Sequence, residues 1–151
     1  MAKKIVFGDS KKLKKKVRKK SLSSLKKKLD SIFSIWIRMK DVDINGEVCC
    51  YTCGKKSHWK YLQCGHFMSR RHHATRWDEE NCKPQCAGCN IFNQGNGPMF
   101  SINLQRDCGQ DILLKLSKKA HTICKMSRED YEEYILKYKQ LIKKLDGTKN
   151  K

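Results

Sequence analysis

The sequence predicts an α+β protein in which a small core of short strands is closed by two cysteine pairs and flanked by N- and C-terminal helices. The Cys-x-x-Cys pairs, Cys50/Cys53 and Cys86/Cys89, enclose a segment that we expect to form a hairpin and a loop. Apolar residues at three- and four-residue intervals on both sides of this region indicate helices. At 151 residues, the chain is expected to form one domain with one modest core.

A basic arm is predicted over residues 1–20. We expect it to be disordered until it meets a phosphate backbone, because a segment this rich in lysine cannot bury itself. Its predicted DNA-contacting residues are Lys14, Lys15, Lys16 and Arg18. A nuclear localisation signal would look similar, and the sequence does not separate the two interpretations.

A single domain is predicted over residues 21–146, followed by a tail at 147–151. Its first helix is capped by Ser21 or Ser23 and runs to about Met39. The apolar stripe predicted to pack against the core consists of Leu22, Leu25, Leu29, Ile32, Phe33 and Trp36.

Breaks and shorter helices are predicted around the cysteine region. Residues 41–46 indicate a turn, and residues 94–98 break the chain. A short helix is predicted over residues 100–108, with Gly109 as its stop, and another over residues 111–119.

The last predicted helix starts at a capping box formed by Ser127 and Asp130. Its apolar stripe is a candidate homodimer interface, although packing onto the chain's own core would explain it equally well. The stripe consists of Tyr131, Tyr134, Ile135, Tyr138, Leu141, Ile142 and Leu145.

The paired cysteines have the spacing of a structural zinc site. The chain carries nine cysteines and no export signal, which favours reduced, metal-binding thiols over disulfides. We therefore predict four zinc ligands. They are Cys50, Cys53, Cys86 and Cys89. Cys49 adjoins the first pair, but the Cys-x-x-Cys-Gly register favours Cys50.

The charge balance points to a polyanionic partner. Thirty-four Lys and Arg residues against 15 Asp and Glu give a formal net charge of +19, which favours nucleic acid. No run of about 18 apolar residues indicates a membrane span. We expect no membrane partner and a cytoplasmic location.

His66 is the candidate general base. It stands in a predicted strand inside the zinc-closed segment, and an imidazole of near-neutral pKa can take a proton from water attacking a phosphodiester. A divalent cation, Mg²⁺ or Mn²⁺, would polarise the phosphate, and Asn90 could offer it a carbonyl oxygen. Arg70, Arg71 and Arg76 are predicted to clamp phosphates.

The chain resembles a known family along three stretches. They are Gly-His-Phe-Met-Ser-Arg-Arg at 65–71, Thr-Arg-Trp-Asp-Glu-Glu-Asn at 75–81, and Gln-Cys-x-x-Cys-Asn at 85–90 with Gly95 and Asn96. They resemble the phage NinG family of Rap-type recombination endonucleases. Within them the pattern is similar to HNH, or ββα-metal, nucleases, and the Cys-x-x-Cys-Asn ending is similar to phage endonuclease VII.

The resemblance implies a ββα-metal, treble-clef-type core that cuts branched DNA, such as Holliday junctions and D-loops. His66 then matches the general base, Asn81 the asparagine that holds the loop orienting that base, and Asn90 the final metal ligand. The residue before the base, usually an acidic ligand, is here Gly65. The resemblance also makes His66, with Asn90, a ligand of the catalytic divalent cation, and the further ligand is sought among His72, His73, Asp78 and Asn93.

The remaining thiols are Cys64, Cys82, Cys108 and Cys124, for which buried packing is the default interpretation. Cys64 and Cys82 could also form part of a second metal site. Trp77 is expected to anchor the loop in the core.

The leading hypothesis is therefore a metal-dependent, structure-selective DNA endonuclease. Because a symmetric junction has two strands to cut, a homodimer is expected. The alternative is a non-catalytic, zinc-stabilised module that binds DNA or RNA. A recruitment protein for other recombination factors is a third class on which the sequence is silent.

Overall fold

The computed structural model describes residues 20–148, over which five α-helices surround two small hairpins. The helices are α1 (Leu22–Met39), α2 (His73–Arg76), α3 (Gly97–Cys108), α4 (Ile112–Ala120) and α5 (Arg128–Thr148). The strands are β1 (Glu47–Cys49), β2 (Lys56–His58), β3 (Gln63–His66) and β4 (Cys82–Gln85). Strand β1 pairs with β2 and β3 pairs with β4, both antiparallel. The predicted α+β class is confirmed.

Helix α1 begins at the first of the two predicted caps. The Ser21 hydroxyl accepts a hydrogen bond from the Ser24 backbone N–H at 3.2 Å, and the helix ends at the predicted Met39. The buried stripe of α1 lies one turn nearer the C-terminus than predicted. Leu22, which the prediction included, is 49% exposed, whereas Ile37, which it did not include, is fully buried. Leu22 stands in the first turn, before the helix reaches its packing partners.

Helix α5 packs against α1. Its predicted capping box is confirmed, since Asp130 accepts from the Ser127 N–H at 2.6 Å and donates its own N–H to the Ser127 hydroxyl at 3.1 Å. The ring of Tyr138 meets Phe33 edge-on, with centroids 5.0 Å apart. Of the two interpretations of the α5 stripe, the structure shows packing onto the chain's own core.

The predicted hairpin and loop between the cysteine pairs is formed by β3, β4 and residues 67–81. Directly after β4, a short π-helical segment spans Gly88–Phe92. Three consecutive residues with positive φ then break the chain, namely Gln94, Gly95 and Asn96. Helix α3 starts at Gly97, three residues earlier than predicted, because Pro98 is tolerated in a first turn.

The remaining predicted elements are also present. Gly109, with φ of 94°, follows the last residue of α3, and α4 matches the helix predicted over residues 111–119. The turn at residues 41–46 is held by the Asp43 carboxylate, which accepts two backbone N–H groups. Helices α3 and α4 form a second small core around Phe100 and Leu116.

The basic arm lies outside the described residues except for Lys20, so Lys14, Lys15, Lys16 and Arg18 remain predictions. Helix α5 extends into the predicted tail as far as Thr148. Between residues 20 and 148, no helix has both the length and the apolarity needed to span a membrane.

Candidate metal centre and active-site cavity

The four predicted zinc ligands meet in space. The sulfurs of Cys50, Cys53, Cys86 and Cys89 all lie within 4.8 Å of one another. The Cys53 and Cys86 sulfurs are 3.8 Å apart, which equals the separation of about 3.8 Å expected for two sulfurs bound tetrahedrally to one zinc. Cys49 is exposed and outside the group. The cluster could therefore hold a zinc ion.

Backbone hydrogen bonds prepare Cys50 to act as a thiolate. The Cys86 N–H donates to the Cys50 sulfur at 3.3 Å, and the Thr52 hydroxyl lies 3.5 Å away. Burial is the largest single influence and opposes ionisation, but hydrogen bonds from Cys86, Thr52 and Cys53 together lower the pKa of Cys50 to about 6. A sulfur ionised at neutral pH suits metal binding.

A cavity of about 410 Å³ lies between α1 and the β3–β4 hairpin. Its lining includes four predicted site residues, His66, Asn90, Arg70 and Arg76. His66 ends β3, and Asn90 belongs to the helical segment that begins at the last cysteine turn. The hairpin and the cysteine cluster thus bring these side chains together.

His66 is held between two carbonyl oxygens. Its Nδ1 lies 3.2 Å from the Cys64 oxygen, and its Nε2 lies 3.0 Å from the Arg76 oxygen. Burial is the main influence that lowers the pKa of His66 below its ordinary value of 6.5, and the charge of Arg70 lowers it further. The lowered pKa favours the neutral imidazole that a general base requires.

Asn90 is oriented by a side-chain amide on β3. Its Nδ2 donates to Gln63 Oε1 at 2.7 Å. The side-chain oxygen of Asn90, Oδ1, has no hydrogen-bond partner among residues 20–148. It is therefore available to a cation.

Asn81 is fully buried and ties the loop together. Its Oδ1 accepts the Met68 N–H at 2.6 Å, while its Nδ2 donates to the carbonyls of Met68 at 3.0 Å and Thr75 at 2.9 Å. These bonds fix both sides of the loop that follows His66. This is the position expected of the loop-holding asparagine, away from the cavity itself.

The three predicted phosphate-binding arginines differ in whether other residues already bind their guanidinium groups. Arg76 makes a bidentate pair with Asp30 of α1, at 2.8 and 2.7 Å, and also donates to the Arg70 carbonyl at 2.6 Å. Its guanidinium therefore anchors the loop to α1 and is not free to clamp a phosphate. Arg70 and Arg71 are exposed, and neither has an ion-pair partner in the described part of the chain.

The structure brings none of the four candidates for a further metal ligand to this cavity. His72 Nδ1 lies 3.0 Å from a backbone carbonyl of α4, and Asp78 pairs with a lysine of that helix at 2.6 Å. His73 lies 2.7 Å from a lysine of α1, and Asn93 is exposed at the end of the helical segment. The cavity-lining carboxylate is instead Asp30.

Two residues of α1 that line the cavity, Asp30 and Arg38, were not predicted from the sequence. Asp30 is the single acidic residue of an 18-residue helix, a signal that could have identified it. Arg38 donates to three backbone carbonyls, including that of Leu62 at 3.1 Å, and has no ion-pair partner within residues 20–148. The sequence gives neither residue a functional role, because it does not show which helix covers the hairpin.

Packing explains the glycine that precedes His66. A Cβ on Gly65 would lie 1.9 Å from Gln85 Oε1, and the Gln85 side chain is fully buried. The amide nitrogen of Gln85 bonds Thr52 at 3.1 Å and the Gly95 carbonyl at 2.8 Å, joining the two cysteine turns. A carboxylate at position 65 would require this side chain to move.

Trp77 anchors the loop as predicted. It is 7% exposed, packs in the main core, and donates its indole N–H to Asp30 at 3.0 Å. Cys64 and Cys82 are also buried in that core, which confirms the default interpretation for both thiols. Cys108 is exposed, so that interpretation is wrong for it.

Comparison with curated proteins and with solved structures finds no significant match to either. A family model described as Bacteriophage Lambda NinG protein does match, over residues 4–148. This range includes the cysteine cluster, the hairpin and all five helices. The chain therefore belongs to the NinG family.

Proposed function

We propose that this protein is a metal-dependent endonuclease that cuts branched DNA formed during recombination, such as Holliday junctions and D-loops. The observation that carries the proposal is the cavity in which His66, Asn90 and Arg70 meet. The β3–β4 hairpin and the helical segment after it would form a ββα-metal core. Family membership supports a role in phage recombination.

In the proposed reaction, water attacks the phosphorus and a P–O bond to the leaving strand breaks. Neutral His66 takes the proton of the attacking water, a step for which general bases typically contribute about 10²- to 10⁴-fold. Asn81 acts by position, because it fixes the loop whose Arg76 carbonyl contacts the imidazole.

The cavity lining holds two side chains with oxygen donors of the kind that Mg²⁺ or Mn²⁺ prefers, the carbonyl of Asn90 and the carboxylate of Asp30, which would bind a cation while also accepting from Arg76 and Trp77. Mg²⁺ is commonly held by one or two protein oxygens together with water and substrate phosphate, so this small set is sufficient. When bound, the cation would stabilise charge on the phosphate and the leaving oxygen.

Cations near the cavity would hold the DNA backbone. Arg70 is exposed at the cavity, and Arg38 is fixed in its lining by backbone carbonyls. Nearer the start of α1, the charge of Lys139 and then that of Lys20 lower the pKa of Lys28, as expected where lysines lie close together. Such a surface favours phosphate binding with release of counterions.

A symmetric junction requires two cuts, so we propose that two copies act together. The buried stripe of α5 is used within the chain, and another surface would have to join the copies.

A non-catalytic zinc module that binds nucleic acid is the second candidate. One observation favours it: both ring nitrogens of His66 lie against carbonyl oxygens, as they would in a histidine with a purely structural role.

Cleavage of a synthetic junction separates the two candidates. Purified protein would be incubated with an end-labelled four-way junction and a matched linear duplex, with and without Mg²⁺ or Mn²⁺. We expect metal-dependent nicks in the junction only. His66→Ala should reduce the rate about 10²- to 10⁴-fold while binding and zinc content persist.

The matched control is His121→Ala, which removes an exposed histidine at the C-terminal end of α4, outside the cavity lining. It should cut at the unaltered rate. Tight junction binding without cleavage under any metal would favour the zinc module, and unchanged cleavage by His66→Ala would overturn the assignment of the base.

A further inference from the structure

We propose that Cys64, His66 and Cys82 form a second metal site that takes a borderline divalent cation such as Zn²⁺ and silences the proposed active site when filled. One imidazole nitrogen and the two thiol sulfurs all lie within 4.8 Å of one another. The site shares no residue with the four-cysteine cluster, so one chain would carry two distinct thiolate metal centres.

The β3–β4 pairing places the three side chains together. His66 stands directly opposite Cys82 in the antiparallel register. Cys64 precedes His66 by two residues, so both project from the same face of the hairpin. The arrangement therefore results from paired strands, which hold side chains more rigidly than a loop would.

Two thiolates and one imidazole are a recognised zinc ligand set, in which a fourth position remains for water or substrate. Two sulfurs on one tetrahedral zinc lie about 3.8 Å apart, so separations of up to 4.8 Å close with small side-chain movements. Cys64 and His66 both line the cavity, which gives the fourth position access to solvent.

The charge balance is compatible with such a cation. Arg70 and Arg76 lie near His66 and oppose a positive ion, but two thiolates would neutralise Zn²⁺ completely. Mg²⁺ would not compete for the site, because it prefers oxygen ligands.

The inhibitory consequence rests on the proposed function. An imidazole nitrogen bound to zinc has no lone pair for a proton, so His66 cannot serve as ligand and general base together. Free Zn²⁺ beyond the first equivalent should therefore stop cleavage even when Mg²⁺ is plentiful.

Metal stoichiometry tests the site without reference to activity. The full chain, kept reduced by a phosphine so that Cys64 and Cys82 stay as thiols, would be loaded with Co²⁺ or Zn²⁺. Mass spectrometry would give metal per chain, and thiolate-to-Co²⁺ absorption would report the ligands. We expect two metals in the wild type and one in Cys64→Ser and in Cys82→Ser.

Cys108→Ser is the matched control, since this thiol is exposed at the end of α3, and it should bind two metals. Retention of the first metal and of the circular dichroism spectrum shows that each variant is folded. If Cys82→Ser does not fold, Cys64→Ser and His66→Ala still decide the question. One metal per wild-type chain, or two in every variant, would overturn the site.

Cleavage in Mg²⁺ with increasing Zn²⁺ tests the inhibition, each variant being compared with its own rate in Mg²⁺ alone. Zinc should stop the wild type and Cys108→Ser, and Cys64→Ser should resist it. Inhibition that persists in Cys64→Ser, after loss of the second metal, would overturn the regulatory role. If the wild type cuts no junction under any condition, the proposed function is wrong. The measured metal stoichiometry still shows whether the second metal site exists.

Discussion

The four-cysteine cluster and the cavity beside it are neighbours that the chain specifies in different ways. Each half of the cluster is one tight turn that supplies two sulfurs, so local spacing is enough to define it. The cavity combines α1, β3 and the segment after β4, which are distant in sequence. The four-cysteine cluster is therefore the more local and the more predictable of the two regions, and the cavity depends on it.

The dependence is physical, because Asn90 directly follows Cys89 and Gln85 directly precedes Cys86. Gln85 joins the two cysteine turns, and Asn90 reaches Gln63 on β3. Damage to the cluster should therefore damage the cavity, whereas damage to the cavity can leave the cluster intact.

The largest expected effect follows from removing the cluster's metal. Chelation, or Cys50→Ser, should unfold the hairpin region, since structural zinc contributes on the order of 10 kcal/mol in small zinc domains. Circular dichroism and zinc content would report the loss. Cys49→Ser is the matched control, because this neighbouring thiol is exposed and outside the cluster. Equal loss in Cys49→Ser would show that the register is misassigned.

Gly65→Ala tests the packing between the two regions. The added methyl group would meet the buried Gln85 amide at 1.9 Å, and such overpacking typically costs about 1–3 kcal/mol of unfolding free energy. Thermal unfolding would measure it. Gly97→Ala is the control, since a Cβ there meets nothing within 4 Å. A Gly65→Ala protein as stable as the wild type would mean that Gln85 readily moves aside.

The same contrast explains how much of the structure could be predicted. Cysteine spacing, capping residues and helical periodicity are local signals, and they gave the cluster, α1 from Ser21 to Met39, and α5 from its capping box. The motif positions also nominated His66, Asn81 and Asn90, whose catalytic roles stay predictions. The role of Arg76 and the part played by Asp30 were missed, because their pairing joins residues 46 positions apart.

Asp30→Asn breaks that long-range pair and should have a smaller effect on stability. Arg76 would lose its charged partner in a half-buried setting, where a hydrogen bond to a charged group is worth about 1.5–3 kcal/mol before solvent screening reduces it. If Asp30 also holds the catalytic cation, cleavage should fall more than stability and respond to higher Mg²⁺. Asp107→Asn, in an exposed ion pair, is the control and should change neither.

The smallest expected effect concerns the pH dependence of cleavage. Burial, chiefly, and the charge of Arg70 lower the pKa of His66 below 6.5, so protonation should abolish kcat/KM only below that pH. Arg70→Gln removes a positive charge that disfavours the imidazolium. The pKa of His66 should therefore rise, and the acidic limb of the pH profile should move to higher pH. This rise in pKa should be smaller than the decrease that burial causes, because burial is the larger influence. Arg71→Gln is the control, because its charge is not among the influences on His66. NMR titration of the imidazole would check the assignment, and a limb that stays in place in Arg70→Gln would mean that another group governs the profile.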